Sequence, residues 1–218
     1  MPRSRSKRRA LAALTAALTA VALSSMSPAL AYSGSGAAAY ADKYALSPNT
    51  PAYPVFGADC TNFVSQAVHV GGGYPFRGAY TNESSEKVWW SRGSGPTKDT
   101  FSWSASWVGA YEFYRFLLAD QPGGHPKGTA PGSSTDYWTP DSVVTGDVLF
   151  YDWGQGEGVS HAAIQVGYGT DANKPEWKGN YVDYHTTNRY HAFWSLKPYN
   201  AAWATTTIYF MNIDPANK

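Results

Sequence analysis

The hydrophobic pattern changes period partway along the chain. Ala37 to Leu46 has Ala38, Ala41 and Ala45 along one side, a short helix that stops at the turn Ser47-Pro48-Asn49-Thr50-Pro51. From Cys60 to Val70, Phe63, Val64, Ala67 and Val68 make a single apolar stripe. Asp59 stands at the N-cap position, and Gly71-Gly72-Gly73 ends the helix. Ser106 to Leu118 reads as another helix, with Trp107, Ala110, Tyr111, Tyr114 and Leu118 in period. The stretches 74–99 and 121–140 are polar, rich in glycine and without period, and they read as loops.

Downstream the period falls to two. Asp147 to Trp153 is a nearly continuous apolar run, as in a central strand. His161 to Tyr168 alternates, with Ala162, Ile164, Val166 and Tyr168 on one face and His161, Ala163 and Gln165 on the other. Tyr181 to Thr187 alternates too, placing Tyr181, Asp183 and His185 together, and Thr205 to Ile213 is a last β-rich run. Helices first and strands afterwards predict an α+β fold, with N-terminal helices packed on one antiparallel sheet.

Composition modifies this picture at the N-terminus. Arg3, Arg5, Lys7, Arg8 and Arg9 precede an apolar run from Ala10 to Leu23 and a small-x-small site at Ala29-Leu30-Ala31. This is the pattern of a secretory signal peptide over residues 1–31, too short in its apolar part to span a bilayer. Arg8-Arg9 alone does not distinguish general from twin-arginine export. A single domain is expected over 32–218, with a core over about 36–213 and no membrane association once the signal is removed. The full chain carries a net charge of +1, and the signal holds five of its seventeen basic residues and none of its acidic ones. Twelve basic residues against sixteen acidic remain, a net charge of −4, which does not suit a nucleic-acid partner. A monomer is expected.

Cys60 is the protein's one cysteine. An exported chain with one cysteine has no internal disulfide, which leaves a reactive thiol, an intermolecular link or an inert buried residue. A helix N-terminus favours the thiolate, and a nearby imidazole supplies the general base. Of the five histidines, His161 has the best setting, at the start of an alternating strand. His185 follows on the next strand beside Asp183, and either is a candidate to orient the base. His69 reads as a C-terminal cap, His125 as a loop residue and His191 as lying past a strand end. No Cys-x-x-Cys or His-x-x-x-His pair exists, so neither a metal nor any other cofactor is expected. Aromatic residues make up 16% of the chain; core packing accounts for most of them, and Trp89, Trp90 and Trp138 are candidates either to line a substrate groove or to pack as lids.

The segments Asp59-Cys60-Thr61-Asn62-Phe63-Val64-Ser65-Gln66-Ala67, Gly146 to Asp152, Ser160-His161-Ala162-Ala163-Ile164 and His185-Thr186-Thr187 together resemble the Putative amidase domain of exported bacterial proteins. That family is related to the NlpC-like and CHAP cysteine peptidases, which have a reduced papain-like fold. The resemblance implies a nucleophile at Cys60, a base at His161 and a third member at His185, with Asp183 as competitor. The Cys60 amide is the expected oxyanion donor, with a second from Asp59 or Tyr53. The implied activity is secreted cysteine-dependent amide hydrolysis through a thioester, on peptide or peptidoglycan substrates. Two rivals stand beside it: a non-catalytic cell-wall binding module and a transglutaminase-like acyl transferase.

Overall fold

A computed structural model describes residues 31–119 and 123–213. The expected signal segment, apart from Ala31, lies outside the described residues. Helix α1 (Gly34–Tyr44) is capped by Ser33, whose hydroxyl accepts from Gly36 N–H at 3.0 Å. Helix α2 (Cys60–Gln66) runs into a π-helical turn over Ala67–Gly71. The two helices cross closely because glycines face each other there. A Cβ on Gly36 would lie 2.3 Å from the Gly71 carbonyl oxygen.

The stretch 74–99 is less irregular than its composition predicts. Arg77 bridges Trp89, and a two-stranded ribbon joins β1 (Ser91–Gly93) to β2 (Phe101–Trp103). The predicted helix over 106–118 is two helices, α3 (Ala105–Val108) and α4 (Ala110–Leu118). The chain breaks at Gly109, whose extended backbone ends one helix and starts the next. That break rotates the buried face to Phe113, Phe116 and Leu117 and leaves Tyr111 and Leu118 exposed.

The main sheet has six antiparallel strands: β3 (Gly124–Pro131), β4 (Val148–Asp152), β5 (Val159–Thr170), β6 (Lys178–Tyr184), β7 (Arg189–Phe193) and β8 (Thr207–Ile213). Their order across the sheet is β3-β8-β4-β5-β6-β7. The fold is α+β, with few helices and one large antiparallel sheet, as the change of period predicts. Both edge strands fall where no strand was expected. β3 has the sequence Gly-His-Pro-Lys-Gly-Thr-Ala-Pro, which alternates nothing, and it joins the sheet through its backbone to β8.

The strand alternation sorts two cores. Ala162, Ile164, Val148, Phe150 and Met211 face the helices and pack with Phe63, Val64, Trp107 and Phe113. Ala163, Leu149, Tyr151, Val182, Tyr184 and Phe210 face the other way and pack with Trp194 and Leu196. Trp89 and Trp90 are fully buried, so neither lines a groove. Trp89 stacks against Phe113 and Phe116 at centroid distances of 5.6 and 6.1 Å. Trp138 is exposed and stacks on Tyr168 at 4.1 Å.

Candidate active site

Every residue of α2 is buried, not only its apolar stripe. The polar members of the Asp-Cys-Thr-Asn-Phe-Val-Ser-Gln block therefore need partners inside the protein. Asn62 donates to the Pro54 carbonyl (3.0 Å) and to Asp59 Oδ1 (2.9 Å), and its own oxygen accepts from Trp107 Nε1 (2.9 Å). Ser65 donates to the Trp107 carbonyl and accepts from Trp89 Nε1. Gln66 accepts from the Tyr40 hydroxyl at 2.8 Å. The block is thus a buried hydrogen-bond network that fixes the first turn of the helix in which Cys60 stands.

Asp59 does not cap α2 with its side chain. Its Oδ1 accepts from the Phe56 amide at 2.9 Å and from Asn62, and its Oδ2 from His185 Nδ1 at 2.6 Å. The other nitrogen of His185, Nε2, lies 3.0 Å from the Tyr44 carbonyl, and the ring stacks on Phe63 at 4.0 Å. Both ring nitrogens thus meet oxygens, Nδ1 the Asp59 carboxyl and Nε2 the Tyr44 carbonyl. His185 thereby ties α1, the Cys60 turn and the end of β6 together. Neither of its nitrogens goes to His161.

The Cys60 sulfur lies 3.6 Å from Thr61 Oγ1. Burial pushes the thiol up, and this outweighs the opposing pull of the Ala162 amide, the Thr61 hydroxyl and the Thr61 amide, while the Asp59 carboxylate adds to the rise. A thiolate favoured by the helix start is therefore not the resting state, because desolvation of a buried anion exceeds what one short helix offers.

His161 leaves β5 on the face away from the helices. Its ring sits among Tyr151, Trp153 and Tyr184, at centroid distances of 5.6, 5.5 and 4.9 Å. Burial lowers it to about 3, so the imidazole is neutral, and in this enclosure its protonated form is disfavoured. Nε2 is buried and has no hydrogen-bond partner among the described residues. The neighbouring Ala162 amide points at the Cys60 sulfur, so the thiol meets β5 beside the residue that carries the imidazole. A β-bulge marks this place: Tyr151 pairs His161 and Asp152 pairs Val159, leaving Ser160 unpaired between them. His161 also lines a cavity of about 250 Å³ with Trp153, Tyr184, Thr186, Arg189 and Tyr199.

The other candidates separate. Asp183 is fully buried on β6 and accepts from the His191 amide at 2.6 Å. The Asp59 amide donates to Thr186 Oγ1 at 3.0 Å and the Tyr53 amide to the Asn49 carbonyl at 2.9 Å, so neither is a free oxyanion donor. His69 accepts no helix carbonyl's company; its Nδ1 bonds the Tyr74 carbonyl at 2.7 Å and its ring stacks on Phe76. His191 lies within β7. The role of Thr186 and the aromatic walls around His161 were not singled out from sequence. Their one signal there was proximity to His185 and to the apolar run ending in Trp153.

A family model described as Putative amidase domain matches residues 31–211. Two curated relatives come from Bacillus subtilis (strain 168). The uncharacterized protein YhbB is 33% identical over 139 residues, covering 63% of this chain and 38% of the relative. The uncharacterized protein YjcM is 33% identical over 158 residues, covering 72% of this chain and 32% of the relative. The chain spans about a third of the length of these relatives. No solved structure matches the chain significantly.

Proposed function

The chain belongs to the Putative amidase domain family, and from that premise we propose that it is a cysteine-dependent amide hydrolase with Cys60 as nucleophile and His161 as base. One observation carries this reading. The protein's one thiol is fixed at a helix start by a buried network, directly against the strand that bears a neutral, unpartnered imidazole. In the proposed reaction the sulfur attacks the amide carbonyl as its proton passes to His161. His161 returns that proton to the departing amine, which leaves as the C–N bond breaks. Water, losing a proton to His161, then attacks the thioester and regenerates the thiol. The transfer runs from the sulfur beside the Ala162 amide to the adjacent ring, directly or through a bridging water. No third residue orients the ring by a hydrogen bond in this proposal. Tyr151, Trp153 and Tyr184 do so by enclosure, and His185 positions the nucleophile turn through Asp59.

The proposed relation is to the NlpC-like and CHAP enzymes, with a reduced papain-like arrangement of nucleophile helix and antiparallel sheet. The proposed substrate is a peptidoglycan-type peptide amide outside the cell. Support comes from the signal pattern at residues 1–31 and the exposed pair Tyr137 and Trp138, which line a surface depression with Trp194. A non-catalytic binding module is favoured by one observation, the upward push on the buried thiol. Incubation of wild type, Cys60→Ala and His161→Gln with peptidoglycan and with casein, followed by mass spectrometry of the products, decides. New amine and carboxyl ends from wild type, absent with Cys60→Ala and reduced about 10²–10⁴-fold with His161→Gln, are expected. A rate retained by Cys60→Ala overturns the proposal, and transfer to an added amine instead of water identifies an acyl transferase.

A further inference from the structure

Away from the Cys60 turn, three side chains from separate elements converge: Asp42 of α1, Asp183 of β6 and His191 of β7. One ligand atom from each lies within 4.8 Å of the others. His191 Nε2 is 2.9 Å from Asp42 Oδ1. Asp183 accepts the His191 amide with Oδ1 and keeps Oδ2 buried, without any hydrogen-bond partner among the described residues. Asp183 is fully buried, and its carboxyl faces that of Asp42. No lysine or arginine forms an ion pair with either carboxylate among the described residues. An orphaned buried carboxylate oxygen is expensive, and beside a second carboxylate it calls for a positive charge or a proton.

We propose that Asp42, Asp183 and His191 form a site for a divalent cation of the zinc class that fastens α1 to the far edge of the sheet. Two carboxylate oxygens and an imidazole are three hard-to-borderline donors, a set that suits zinc better than calcium, which prefers oxygen alone. Bond lengths of about 2.0–2.2 Å require the ligand atoms to draw slightly closer. Asp42 is able to make that adjustment, since its side chain is 41% exposed, and the same exposure gives the ion a way in. The ring of His191 is held by stacking between Tyr181 (3.9 Å) and Tyr190 (3.6 Å). The ion is structural. Asp42 stands two residues before Tyr44, whose carbonyl holds His185, so the bond from helix to sheet steadies the support of the Cys60 turn without contacting it.

The test uses the full chain, treated with EDTA and dialysed, titrated calorimetrically with ZnCl₂, MnCl₂ and CaCl₂ and followed by thermal unfolding. One zinc per chain is expected, with Tm raised by roughly 5 °C at a hundredfold excess over Kd, and with calcium at least tenfold weaker. Asp183→Asn and Asp42→Asn are each expected to weaken zinc at least tenfold, while His125→Ala, outside the cluster, leaves it unchanged. If Asp183→Asn fails to fold, the exposed Asp42→Asn carries the test. Absence of zinc binding overturns the site and leaves a shared proton between the carboxyls, as does zinc binding that Asp42→Asn leaves intact.

Discussion

The two faces of the sheet are built differently. The helical face is closed by α1, α2 and α4, and the polar groups of the Cys60 turn are bonded inside the protein: Asn62, Ser65 and Gln66 to Trp107, Trp89 and Tyr40, and Asp59 to His185. The other face is covered by loops around Val143, Trp194, Leu196 and Tyr199. There a cavity opens, and buried nitrogens of His161 and Arg189 have no partners among the described residues. The difference separates the surroundings of the thiol from those of the imidazole. Under the proposed mechanism, buried hydrogen bonds are concentrated around the sulfur, where a displaced nucleophile would miss its target, and unsatisfied polarity is left around the imidazole proposed as base.

Four changes break or sharpen this contrast. Trp89→Ala, at the centre of the helical face, is expected to destabilise by about 3–5 kcal/mol in urea unfolding. A loss below 1 kcal/mol would mean that this core is loosely packed. His185→Ala strands the Asp59 carboxylate in a buried place and is expected to cost about 3–5 kcal/mol. His185→Ala is also expected to change the rate of iodoacetamide labelling of Cys60, and His185→Gln to change it less, since an amide restores part of the link to Asp59 and Tyr44. His161 tests the other face by pH. Its folded value of about 3 lies below the ordinary value of 6.5, so the unfolded chain binds the extra proton and stability is lost as pH falls from about 6.5 toward 3. At pH 5 this amounts to roughly 2 kcal/mol, and His161→Gln is expected to remove that part of the acid sensitivity. Equal slopes in wild type and variant would place the ring in water. The smallest effect is expected at Trp138, exposed beyond the second core: Trp138→Ala shifts stability by no more than about 0.5 kcal/mol.

Particular residues show why some of this was legible beforehand. Phe63, Val64, Ala67 and Val68 repeat with a helical period, and Ala162, Ile164 and Val166 alternate, because each set must reach one core from its own element. Local pattern was enough for them. It misled at Trp89 and Trp90, whose polar neighbours read as a loop, while both rings are buried and Trp89 stacks on Phe113 and Phe116 of α4. It was silent about β3 and β7, which pair by backbone at the sheet's edges and need no apolar signature.

The sequence by itself determined the order of helices before strands, the turn that carries Cys60 and the candidacy of His161 and His185, since these rest on spacing and residue type along a continuous stretch. Tertiary structure alone decided their relations. It gave His185 to Asp59 and Tyr44, brought Ala162 rather than His161 directly against the sulfur, and gathered Asp42, Asp183 and His191 from three elements. Which polar group meets which is set by burial and by the competition of buried donors for acceptors, and that competition is settled only when the helices are laid on the sheet.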